Sequence, residues 1–167
     1  RKAQELLTDE YFLSAFLSDA PKPAAVLVPL LRAPDNEKGE DAWHLLLTRR
    51  SDRLAEHRGQ VAFPGGRCDP DDLSPEDTAL REANEEIGLQ PNQVKILGRL
   101  PNLLTITNYS ITPIVAVISW PFPVRLAIHE VSRVFTIPLT WLADPANHET
   151  RQRAIPTPYS LQLSSES

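Results

Sequence analysis

The sequence predicts an α/β protein in which a mixed β-sheet is covered by helices, on three observations. Apolar runs of strand length recur at residues 24–31, 43–48, 94–100 and 111–118. One segment, residues 75–87, carries a full set of helix start and stop signals. Strands and helices mix without a strict β-α-β repeat, which argues against a purely parallel sheet. The chain has 167 residues, 41% hydrophobic and 23% charged. That length and balance predict one ordinary domain spanning residues 1–167.

Taken in order, residues 4–17 read as a helix, with Leu6, Leu7, Leu13, Phe16 and Leu17 mainly on one stripe and Pro21 and Pro23 ending it. Residues 24–31 read as a strand whose Pro29 points to a sheet edge or a bulge. A charged loop over 33–41 joins it to the strand at 43–48, as the two arms of an antiparallel hairpin. After Arg50 a charge-rich loop leads to Val61-Ala62-Phe63 and then to Pro64-Gly65-Gly66, a strong turn signal in which glycine permits close backbone approach. Ser74 then suits an N-cap, Pro75 the first helical position and Asp77 the third residue after the cap. Leu80, Ala83 and Ile87 repeat at helical spacing, and Gly88 suits the terminator. Residues 94–100 and 111–118 are strands, 134–136 a shorter one, and a brief helix is expected near 139–141.

The net charge of −5 disfavours a nucleic-acid-coating protein or a polybasic membrane binder. It leaves room for a phosphate ligand whose charge is matched by a metal ion. The single cysteine, Cys68, cannot form an internal disulfide, which excludes a disulfide-stapled scaffold. No apolar run reaches the roughly 20 residues of a membrane span. Residues 1–5 do not lead into a signal-peptide apolar stretch. A cytoplasmic location is therefore expected, with organelle import left open for a trimmed chain.

Chemistry concentrates in Leu80-Arg81-Glu82-Ala83-Asn84-Glu85-Glu86-Ile87-Gly88-Leu89. Glu82, Glu85 and Glu86 stand at i, i+3 and i+4, so they share one helix face. Like charges at that spacing repel, and they lie near a helix C-terminus where negative charge is disfavoured. Such a face is either solvated or holds a cation, and hard divalent ions prefer carboxylate oxygens. The preceding Gly-Gly turn, with Asp69, Asp71 and Asp72 between turn and cap, shifts the balance toward the cation.

With these residues the sequence resembles the Nudix hydrolases, whose box reads G-x5-E-x7-R-E-U-x-E-E-x-G-U, U being a bulky aliphatic residue. Gly66 is the first glycine, and Asp72 stands where glutamate is usual. Eight residues rather than seven separate Asp72 from Arg81, and residues 81–89 fit, with small Ala83 at a U position. Leu46-Leu47-Thr48-Arg49-Arg50-Ser51 and Gly59 through Phe63-Pro64-Gly65-Gly66 resemble the element marking the coenzyme A diphosphatase branch, LLTxR[S/A]-x3-R-x3-G-x3-FPGG. The match has no gaps, and Ala55 stands where that branch has arginine. Residues 107–113 and 130–135 are similar to that branch too.

The resemblance implies a Nudix α/β/α sandwich with a catalytic loop-helix-loop at about 66–89. It implies hydrolysis of the pyrophosphate of coenzyme A or its thioesters to 3′,5′-ADP and 4′-phosphopantetheine, dependent on Mg²⁺ or Mn²⁺. Glu82, Glu85, Glu86 and the Gly66 carbonyl would hold the metal, with Arg81 orienting a carboxylate and Glu85 a third ligand or a base. Arg50, Arg53 and Arg58 would meet substrate phosphate, Arg50 foremost because it matches the branch element. Glu130 is a candidate base from a distant segment, and Tyr109 either stacks an adenine or packs as a core aromatic. The partner implied is a small CoA-type nucleotide, not nucleic acid or a membrane. The C-terminal helix usual in these proteins has no equivalent after Tyr159. This predicts that one sheet face lacks that cover or gains it from another chain, as in a homodimer. The competing readings are hydrolysis of ADP-ribose or a dinucleotide, and a Nudix-like module that binds nucleotide without cutting it.

Overall fold

The structure is a computed structural model that describes residues 20–34, 40–52, 59–105 and 107–150. The helix expected over 4–17, Arg53, Ala55, Arg58 and the segment after residue 150 lie outside the described residues. In chain order the strands are β1 (Lys22–Pro34), β2 (Asp41–Arg50), β3 (Val61–Ala62), β4 (Gly65–Arg67), β5 (Val94–Arg99), β6 (Leu103–Leu104), β7 (Tyr109–Ile118) and β8 (Val131–Pro138). The helices are α1 (Pro75–Ile87) and α2 (Leu139–Ala143).

β1 and β2 make the predicted antiparallel hairpin, in register from Leu30 opposite Leu45 to Pro34 opposite Asp41. β1 also pairs in parallel with β7 along nine residue pairs, from Lys22 opposite Tyr109 to Leu30 opposite Val117. β5 and β6 join β7 antiparallel, and β3 and β8 join β2. The sheet is therefore mixed, as expected, and β1 lies at its centre.

That corrects the reading of Pro29 as a mark of an edge or bulge. On one side Pro29 sits in register opposite Ala116 of β7. On the other, β1 changes partner here: β4 covers Ala24–Val26, Leu27 N–H donates to Pro64 O at 2.8 Å, and β2 takes over from Leu30. Pro29 has the same parity as Leu27, so its missing N–H falls in the gap between β4 and β2 and costs no ladder bond.

α1 begins and ends where its signals place it. Ser74 Oγ accepts from Asp77 N–H at 3.2 Å, Pro75 opens the helix, and Gly88 closes it at φ 77°, its N–H reaching the carbonyls of Ala83 and Asn84. The buried stripe differs from the expected one. Thr78, Ala79, Ala83, Glu86 and Ile87 are buried, whereas Leu80 is only half-buried. Ala79 and Ala83 lack bulk and let the helix lie close on β1, where Ala25, Leu27 and Leu31 face it in one core with Ile114 and Ala116 of β7. Side chains alternate across a strand, so Val26, Val28, Val115, Val117, Phe135 and Ile137 occupy the opposite face, half-buried. The fold is the expected α/β sandwich built on a mixed sheet. β8 is longer than the predicted 134–136, and β4 and β6 are additions. Among the described residues no helix is long and apolar enough to cross a membrane.

Candidate active site

The site forms where the Gly-Gly turn meets the side of α1. β4 pairs with the start of β1, Gly65 opposite Val26 and Gly66 opposite Ala25. α1 packs on both strands. Gly65 N–H donates to Glu86 Oε2 at 3.3 Å. A Cβ added to Gly66 would lie 2.5 Å from Glu82 Oε1 and 2.6 Å from its Cδ, so only glycine lets this carboxylate rest against the turn.

Arg81 braces the arrangement from outside. Its Nε and Nη2 bond Asp72 Oδ1 and Oδ2 at 3.0 and 2.9 Å, a bidentate pair. Nη2 also donates to Arg67 O at 3.1 Å, and Nη1 to Glu82 Oε1 at 2.9 Å and Glu85 Oε2 at 3.4 Å. One guanidinium thus ties the loop after β4 to a carboxylate of the helix. Asp72 is fixed in turn by Thr78 Oγ1 and Asp69 N–H, each at 2.8 Å. Its atypical identity and the extra loop residue do not remove it from the site. The shorter side chain reaches Arg81 because the loop folds back on the first turn of α1. Hydrogen bonds from Arg81 hold the Asp72 carboxyl well below the usual carboxylate range, and those to Asp72 raise Arg81.

The glutamates themselves differ in burial. Glu86 is buried, Glu82 has 16% of its side chain exposed and Glu85 has 58%. Burial pushes the Glu86 carboxyl up to about 7; the Gly65 N–H and Arg50 oppose the rise, and the charges of Glu82 and Glu130 add to it. Burial also raises Glu82, against the pull of Arg81, with Glu85 and Glu130 adding. The inner part of the site therefore holds negative charge that its surroundings do not fully compensate.

The structure brings together Glu82, Glu86, Gly66 and Arg81, with Arg50 close enough for its charge to act on Glu86. Glu85 lies on the outer flank beside Arg81. Arg50 Nε is buried, with no hydrogen-bond partner among the described residues. Tyr109 is half-buried with Lys22 Nζ 5.9 Å from its ring centroid. Sequence reasoning missed the Asp72–Arg81 clamp and the hold of Gly65 on Glu86. The one available signal for the clamp was the acidic loop just before the cap.

Among the described residues no group of three or more His, Cys, Asp or Glu side chains is arranged to hold a metal ion by itself. The cradle is smaller: two partly desolvated carboxylates against a glycine backbone. That donor set suits Mg²⁺, which typically binds through one or two carboxylates and fills its octahedron with waters and substrate phosphate oxygens.

Known proteins resemble this chain in sequence and in fold. The NUDIX domain family model matches residues 21–155. A protein of Escherichia coli O139:H28 named Nudix hydrolase NudL is 44% identical over 142 residues, covering 80% of this chain and 70% of its own. The K12 form is 46% identical over 118 residues, covering 71% of this chain. The chain spans only 58% of that relative's length. Among solved structures, a Caenorhabditis elegans Ap4A hydrolase complex aligns with a TM-score of 0.56 at 24% identity, over 70% of this chain and 80% of that one. The NUDIX domain of Shewanella oneidensis NrtR, complexed with ADP ribose, aligns at 0.53 and 21%, over 77% and 84%. At these identities the structural matches establish the fold alone.

Proposed function

The chain belongs to the Nudix hydrolase family, and from that premise we propose that it hydrolyses the pyrophosphate bond of coenzyme A or its thioesters. The reaction gives 3′,5′-ADP and 4′-phosphopantetheine or its acyl form. The observation that carries the reaction type is the pair Glu82 and Glu86, held against the Gly65–Gly66 turn with surplus negative charge. Glu82, Glu86 and the Gly66 carbonyl would hold Mg²⁺ or Mn²⁺, with Glu85 a further ligand from the outer flank. When bound, the ion screens the diphosphate charge and polarises the scissile P–O bond.

This chain's own residues do the rest. Arg81 fixes Glu82 through one of its nitrogens and is itself fixed by Asp72, so the carboxylate is set before substrate arrives. Arg50 Nε, buried near Glu86 with no hydrogen-bond partner among the described residues, supports phosphate binding, in line with its match to the coenzyme A element. Arg53 and Arg58 are proposed to extend that contact to the 3′-phosphate. The reading places the protein in the cytoplasm, acting on a small nucleotide.

The experiment is incubation with coenzyme A and Mg²⁺, beside ADP-ribose and a dinucleoside polyphosphate, with product identification. Release of 3′,5′-ADP at least about tenfold faster than cleavage of the other two is expected. Exclusive turnover of ADP-ribose would establish another nucleoside diphosphate derivative as the substrate. Ala55, at the position where the coenzyme A branch has arginine, favours a module that binds nucleotide without cutting it. Tight binding of every compound with no cleavage would establish a non-hydrolytic module.

A further inference from the structure

We infer that Arg49 and Ser132 are positioning residues that set the aim of Arg50. The inference rests on the hydrolase reading above, in which Arg50 meets substrate phosphate. Its ground is the contrast between two adjacent arginines at the end of β2. Side chains alternate along a strand, so Arg50 leaves β2 on the face of Leu46 and Thr48, the buried side that shares a core with α1, and Arg49 leaves on the other. Arg49 is committed. Its Nη1 and Nη2 bond Asp52 Oδ2 and Oδ1 at 3.2 and 3.0 Å, a bidentate pair, and Nη1 also donates to Ser132 Oγ at 3.4 Å. A Cβ added to Gly59 would lie 2.9 Å from Arg49 Nη2, so glycine there leaves room for the pair. Arg50 is not committed in this way: its Nε is buried, with no hydrogen-bond partner among the described residues. A buried donor in that state costs free energy until an acceptor arrives, and a phosphate oxygen is such an acceptor.

Ser132 is the extra residue of a β-bulge. Arg49 stands opposite Arg133 of β8 and Arg50 opposite Val131, which leaves Ser132 with no residue of β2 across from it. The bulge reverses the parity of β8, so that Val131 enters the core while Ser132 and Arg133 stay exposed. The Ser132 hydroxyl bridges the irregularity. Its Oγ accepts from Arg49 Nη1 and donates to the carbonyls of Arg49 and Arg50, at 3.1 and 3.4 Å. Arg50 N–H donates to Gln60 O, and Ser51 N–H to Glu130 O, each at 2.8 Å. The Arg50 backbone is thus held at its N–H, at its carbonyl and at the next N–H, from three separate segments. A small rotation of that backbone is magnified along a long side chain, so these bonds decide where the guanidinium points before substrate arrives. The two arginines therefore have different roles: Arg50 binds, while Arg49 and Ser132 hold it in place. Arg49 and Asp52 fill unspecified positions of the coenzyme A element, so that element does not by itself contain the clamp.

The test is a double-mutant cycle on the diphosphate substrate panel with Mg²⁺: Ser132→Ala, Arg50→Ala and the two combined, beside Ser132→Thr. Arg50→Ala is expected to lower kcat/KM by about 100-fold and Ser132→Ala by about tenfold, the latter mainly through KM. In the Arg50→Ala background, Ser132→Ala is expected to change kcat/KM by less than about twofold, because no side chain is left to aim. Ser132→Thr, which keeps the hydroxyl, should stay within about threefold of wild type, as should the affinity of every variant for Mn²⁺ alone. Arg49→Ala goes through the same cycle with the same expectation, and it carries the test if Ser132→Ala does not fold. Losses that multiply in the combined variants overturn the inference, because Ser132 or Arg49 then acts independently of Arg50. So does a Ser132→Ala enzyme within about twofold of wild type, a loss that only tracks the folded fraction seen by circular dichroism, or a matching drop in Mn²⁺ affinity. If wild type cleaves no diphosphate, the hydrolase reading fails, and the same cycle on the dissociation constant for coenzyme A decides the positioning role separately. Absence of both cleavage and binding overturns the two together.

Discussion

Glu86→Gln is expected to abolish turnover, by about 10³-fold or more, and at the same time to stabilise the metal-free protein. The two effects have one cause. Glu86 is buried beside Glu82, and its carboxyl is pushed from 4.5 up to about 7. A folded-state value above the unfolded one means that the folded protein binds the proton more tightly. The favourable contribution is fully present below about pH 4.5 and is lost as the pH rises through 7. Above that range the ionised carboxylate costs about 3 kcal/mol, which glutamine does not incur while its amide oxygen still accepts from Gly65 N–H. Urea unfolding in EDTA should therefore show the variant more stable at pH 8 and the difference gone near pH 4. Mg²⁺ should raise the wild type and not the variant. A variant less stable than wild type at pH 8 without metal would contradict the assignment of Glu86 as a carboxylate held in readiness for a cation.

Gly66→Ala is the second large effect, and it separates binding from folding. The new Cβ meets only the far end of the Glu82 side chain, which can swing away at little cost to the fold. Swinging away removes the carboxylate from the turn. Affinity for Mn²⁺ should fall by about 10–100-fold, and activity with it, while the thermal midpoint moves little. Gly65→Ala is the control. Its Cβ would lie 2.6 Å from Val26 Cα and press on β1 itself, so stability should drop by about 1–3 kcal/mol. If Gly66→Ala retains full Mn²⁺ affinity, Glu82 and the turn do not form one cradle.

What the sequence revealed of this protein follows from how local each signal is. α1 was legible at both ends because Ser74, Pro75 and Gly88 act within one turn. Its buried stripe was misread by one position, because small Ala79 packs better on a crowded sheet than Leu80, and only the sheet decides that. The hairpin of β1 and β2 followed from length and loop composition. The central place of β1 did not, since Pro29 is tolerated by a change of partner strand that no local pattern encodes. β4 and β6 are two or three residues long and exist through their neighbours. At the site, helical spacing was enough to group the glutamates. It did not distinguish buried Glu86 from outward Glu85, and it did not show the Asp72 clamp on Arg81, a contact across a loop.

The central claim is that Glu82, Glu86 and the Gly66 carbonyl form a cradle for a divalent cation. An anomalous difference map from a Mn²⁺-soaked crystal tests it most directly. The account predicts an ion about 2.1 Å from a carboxylate oxygen of Glu82, one of Glu86 and the Gly66 oxygen, with water completing the shell. A map with no ion at these atoms, or with manganese held elsewhere while both glutamates stay as they are, would contradict it.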